Sequence, residues 1–166
     1  MRRKSQAGRA EAVKKEWEPR REVWLTRSQL DRMAAAITPR YRALVLAAAL
    51  TGLRWGELAA RTIALDHEAV DAFLGHRRLV GDSDYVFTTP GGSQGPGGPL
   101  ARSNFWRVWN RAVTDAKLHT LWPEHGGLHF HDLRHTHATW LLARRVPLIA
   151  VANRLGHANP VITMMV

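Results

Sequence analysis

The chain contains no cysteine, which excludes disulfides, thiolate metal sites and cysteine nucleophiles. Long hydrophobic runs are missing as well. The longest, ALVLAAAL at 43–50, is far too short to span a bilayer. Residues 1–22 are basic but lack the apolar core of an export signal. These absences predict a soluble, cytoplasmic protein. Acidic residues are scarce: 14 Asp and Glu face 24 Lys and Arg, for a formal charge of +10. That imbalance favours an anionic polymer as partner, nucleic acid above all. A solvated basic surface is the bland alternative. Lysine is scarce too. Arginine supplies 20 of the 24 basic residues, and its planar fork matches phosphate oxygens two at a time. The 166 residues, 45 % of them hydrophobic, suffice for one domain with a real core, or one domain plus a tail.

Residues 1–22 read as a linker or frayed helix that ends at Pro19. A helix is expected over 25–37, with Thr26 as its cap and Gln29 completing a capping box. Pro39 opens a second helix that is apolar nearly all round and stops at Gly52. A short helical turn at 54–60 leads to a possible strand, RTIAL (61–65). Asp66 caps an amphipathic helix over 66–78. DYVFTT (84–89) reads as a second short strand, and PGGSQGPGGP (90–99) as a loop. Helices follow over 101–118, 130–145 and 147–155, the last entered through Pro147 and ended by Gly156. Asn159–Pro160 begins one more. No internal repeat is present.

Four of the nine histidines fall in HDLRHTHATWLLARRVPLIAVANRLGH (131–157). His131 and His135 are four apart and share a helix face, a spacing that suits zinc. A zinc-protease signature needs Glu after the first His, however, and Asp132 stands there. Arg134 would also project beside the cation, and no third ligand is apparent. An anion site fits better. His131 and Arg134, at i and i+3, meet on one face, where Arg neutralises phosphate oxygens and His donates a hydrogen bond or moves a proton. His157 follows a glycine at a helix end. A second arginine, Arg54, emerges directly after the Gly52 turn, and Glu57 three residues on is placed to orient it. Solvated ion pairs of little consequence are the competing explanation for both groups. The tryptophans read as core or cleft-wall residues.

TGLRWGEL (51–58), HDLRHTHATWLL (131–142) and VANRLGH (151–157) together resemble the catalytic domain of the tyrosine recombinases, the phage integrase family, over about Val23–Val166. The resemblance implies a mainly α fold with a small, reduced β-sheet. It implies site-specific DNA recombination or integration, with strand cleavage and rejoining through a 3′-phosphotyrosine and no metal or cofactor. Carried over, Arg54 is the first catalytic arginine, Arg134 the second, His131 the histidine paired with it, and His157 the third-position histidine. Two fixed arginines would stabilise charge that builds on the phosphate in the transition state. His131 would help deprotonate a tyrosine whose phenol ordinarily titrates near ~10. Arg107 and Arg111, on one helix face, become candidates for contact with the DNA backbone. Double-stranded DNA is the implied partner, a tetramer on DNA the implied assembly, and the cytoplasm, near the nucleoid, the implied location of a bacterial or phage-encoded protein.

Three features depart from the family pattern. The nucleophilic tyrosine, expected shortly after LGH, would fall beyond Val166, and neither Tyr41 nor Tyr85 matches the motif. The family lysine is absent: GELAA runs straight into RTIAL where a lysine-bearing hairpin is expected. Residues 1–22 resemble the outgoing linker of an N-terminal DNA-binding domain, which leaves 23–166 as the catalytic domain. The alternative is therefore a catalytically inactive DNA-binding relative, or a gene fragment, lacking the lysine and the tyrosine. A metal-dependent hydrolase built on His131 and His135 is a third possibility.

Overall fold

The computed structural model describes residues 23–59, 62–91, 97–123 and 127–156. The linker expected at 1–22 lies outside them, as do His157 and the helix expected after Asn159. Six α-helices follow in order: α1 (Arg27–Ala36), α2 (Pro39–Thr51), α3 (His67–Val80), α4 (Arg102–Asp115), α5 (Asp132–Ala143) and α6 (Leu148–Leu155). A 3-10 turn, Glu57–Ala59, lies between α2 and α3.

Local signals account for most of these boundaries. Thr26 accepts from the Gln29 backbone N–H, and the Gln29 side chain accepts from that of Thr26, closing the expected capping box. Asp66 caps α3 by accepting from the Ala69 N–H at 2.8 Å. Pro39 occupies the first turn of α2. Pro147 instead stands at the N-cap, one residue before α6 begins.

Helix α2 is the centre of the molecule and packs against α1, α3 and α5. Leu44, Val45, Ala48 and Ala49 are buried within it, each fully buried Leu or Val contributing about 2 kcal/mol. Helix α4 closes one side through Phe105 and Trp109, both buried, and the Trp109 indole donates to the Leu128 carbonyl at 3.0 Å. Phe105 meets Tyr41, Trp55 and Phe130 in edge and tilted contacts with centroids 5.0–5.7 Å apart. The incoming segment is pinned to α5: the Leu25 N–H donates to Thr136 at 3.0 Å, and the Trp140 indole donates to the Leu25 carbonyl at 2.9 Å.

The sheet is reduced further than the sequence suggests. Among the described residues no strand forms, and residues 62–66 are irregular. The expected strand at 84–89 is represented by one antiparallel bridge, Thr88 to Pro99. Two short segments without a third strand alongside lack the cross-strand pairing that extends a ladder. Accordingly Leu65, Tyr85 and Val86 are exposed. Among the described residues no helix is long and apolar enough to cross a membrane.

Candidate active site

The turn after α2 begins the site. Gly52 ends the helix at φ +69°, in the left-handed region that favours glycine. A Cβ there would stand 2.6 Å from Leu155 Cδ2 and 2.8 Å from His137 Cδ2, so the turn is pressed against α5 and α6. Arg54 follows. Its backbone N–H donates to Glu57 Oε2 at 2.8 Å, and its Nη1 donates to Glu57 Oε1 at 3.2 Å. The pair expected from sequence is formed, and Arg54 remains half exposed.

Arg134 comes from the first turns of α5 and is buried. Its Nη1 donates to the Gly52 carbonyl at 2.8 Å and to Glu57 Oε2 at 3.4 Å, and its Nη2 donates to the Leu155 carbonyl. A buried guanidinium is tolerated only with such partners. Glu57 therefore bridges two arginines that are 80 residues apart in sequence, one buried and one facing outward.

His131 sits at the N-terminal boundary of α5 and shares a cleft of about 350 Å³ with Arg54, Arg102, Trp106 and His129. Burial pushes its pKa below the ordinary value; Arg134, Arg54 and Arg102 add to the lowering, and Asp132 opposes it. Near neutral pH His131 is thus a neutral imidazole, able to accept a proton. Asp132 organises the preceding turn by accepting from the His129 N–H at 2.6 Å. The His131 and His135 rings meet edge to face, 5.2 Å between centroids. Among the described residues no group of three or more metal-ligating side chains forms around them.

Residues 59–165 match the sequence profile of the phage integrase family. The chain belongs to that family. This integrase-family chain also has the fold of the Xer recombinases. It matches a crystal structure of XerA recombinase with a TM-score of 0.68 at 23 % identity, covering 86 % of this chain and 57 % of that one. Two structures of XerH site-specific recombinase bound to difH substrates, a pre-cleavage and a post-cleavage complex, match with TM-scores of 0.58 and 0.59. Both are 20 % identical; 86 % and 87 % of this chain and 49 % of the XerH chain are covered. The chain thus spans about half the length of these recombinases. No curated protein matches it.

Arg54 and His131 line one cleft; Arg134 does not line it but lies buried behind Arg54, joined to it through Glu57; His157 lies outside the described residues. Arg107 and Arg111 are exposed on α4, but neither lines the cleft, and Arg111 lies 3.7 Å from Asp115. Arg102, one turn earlier on that helix, does line it. Its place is not legible in the sequence, because nothing local to 101–118 says which end of α4 faces Arg54. Neither Tyr41 nor Tyr85 lines the cleft. Tyr41 is buried, and burial raises its phenol pKa against the opposing Arg40 charge, which suits it poorly to nucleophilic attack.

Proposed function

We propose that residues 23–166 form the catalytic domain of a site-specific tyrosine recombinase acting on double-stranded DNA. The observation that carries this reading is the Glu57 bridge, which joins Arg54, a residue lining the cleft of His131, to the buried Arg134 behind it. Arg54, half exposed, offers its guanidinium to a non-bridging phosphate oxygen. Arg134, locked from behind, supplies a positive charge that need not reorganise as negative charge builds on the phosphate. Neutral His131 takes the proton from the attacking phenol. That phenol would belong to the tyrosine expected of the family shortly after the LGH motif, and His157 would donate to a phosphate oxygen. The tetramer expected of the family would assemble on DNA.

One observation favours the second reading, a DNA-binding relative without cleavage activity: among the described residues neither a lysine nor a tyrosine lines the cleft. Two measurements separate the alternatives. Binding of a duplex oligonucleotide, followed by fluorescence anisotropy, should weaken steeply with salt, with a log–log slope of about −0.9 per phosphate contacted. A duplex nicked at the target, mixed with the full-length protein, should trap a covalent protein–DNA adduct. Salt-dependent binding without an adduct establishes the inactive relative, and absence of DNA binding removes both.

A further inference from the structure

His137 has no place in the phosphate chemistry, yet it is buried between the two segments that flank the site. Its Nδ1 lies 3.2 Å from the Ala49 carbonyl in the last turn of α2, and its Nε2 lies 3.0 Å from Nε of Arg154 on α6. A carbonyl only accepts, and the guanidinium Nε–H only donates. The ring must therefore carry its proton on Nδ1 and keep the Nε2 lone pair, so it is neutral and held in one tautomer. Arg154 extends the connection to the Ala64 carbonyl at 3.4 Å. Arg134, three residues earlier on α5, ties the same two places, the Gly52 turn and the end of α6.

We propose that His137 is a positioning residue: its neutral ring, donating to α2 and accepting from α6, holds the two helix ends together so that the Arg54–Glu57–Arg134 arrangement keeps its spacing. Protonation of Nε2 removes the acceptor, sets two cations face to face, and releases Arg154. The charged groups facing the ring are Arg154 on α6, Arg134 on α5 and Asp66 ahead of α3. Burial, Arg154 and Arg134 all oppose protonation; the Ala49 carbonyl and Asp66 favour it, and the balance holds the pKa at about 4. The latch is closed at neutral pH and opens only in acid. Its consequence for DNA rests on the function proposed above, whereas its geometry does not.

The test joins histidine ring NMR to DNA binding. In the wild-type chain the His137 ring should show the Nδ1–H tautomer at pH 7 and titrate below pH 5. His137→Phe keeps a ring of similar bulk but loses both hydrogen bonds; it should bind duplex DNA about tenfold more weakly at pH 7. Arg154→Met, which leaves the buried ring in place, should weaken binding in the same direction and move the His137 midpoint upward. An Nε2–H tautomer, ordinary titration near 6.5, or wild-type DNA affinity in His137→Phe would each overturn the proposal. If His137→Phe does not fold, Arg154→Met decides: an unmoved midpoint overturns the latch. Should wild-type protein bind no DNA, the recombinase reading fails, and tautomer and midpoint alone decide the fate of the latch.

Discussion

Arg54 and Arg134 carry the same charge in opposite surroundings, and their substitutions should separate. Arg134 is buried and satisfies the Gly52 and Leu155 carbonyls and Glu57 together. Removing it takes a charged donor out of a buried cluster, so Arg134→Ala should cost about 3 kcal/mol in denaturant unfolding. Arg54 is half exposed, and its ion pair is screened by water. Arg54→Ala should therefore change stability by no more than about 1 kcal/mol while weakening DNA binding. The motif around each arginine was visible in the sequence, as was the Arg54–Glu57 pair at its i, i+3 spacing. The second half of the Glu57 bridge was not, because a contact across 77 residues leaves no local trace. His137 was hidden for the same reason: its partners, Ala49 and Arg154, belong to other helices. That histidine also sets a pH dependence. Its pKa is about 4 in the folded chain against an ordinary 6.5, so between those values the unfolded chain holds a proton that the folded chain does not. Stability then rises with pH across that window. It is fully present above 6.5, and acidification toward 4 should remove about 3 kcal/mol. Unfolding free energies measured from pH 7 to 4 should show this slope, and His137→Phe should flatten it.

At the scale of elements, helix ends were legible and strands were not. The Thr26–Gln29 box, Asp66, Pro39 and Gly52 act through their own backbone neighbourhood, and each stands where its chemistry requires. Strand formation at 61–65 and 84–89 depends on a partner segment alongside, which local alternation cannot supply. The Gly52 turn is the element on which the site depends most. It combines a left-handed φ with close approach to Leu155 and His137. Gly52→Ala should destabilise the fold by more than about 1 kcal/mol. Because Arg54 follows two residues later, the same change should weaken DNA binding more than Arg54→Lys does. Wild-type melting temperature and affinity in Gly52→Ala would show that α6 and the turn are packed more loosely than described. Arg102 belongs to this scale as well, since the docking of α4, and not its sequence, turns the first residue of that helix toward the cleft.

Over the whole molecule, the net charge of +10 would draw DNA to the surface in general under the proposed function, while the cleft of Arg54, His131 and Arg102 is where one particular phosphate would be held. The two contributions can be told apart by neutralising phosphates one at a time. The most direct test is a series of duplexes, each with a methylphosphonate at a single position, titrated against the wild-type chain and Arg54→Ala. A single position should cost the wild type about tenfold or more in affinity, and the same position should cost Arg54→Ala nothing further. Small losses spread evenly along the duplex, identical in both proteins, would contradict a built phosphate site and leave only a basic surface.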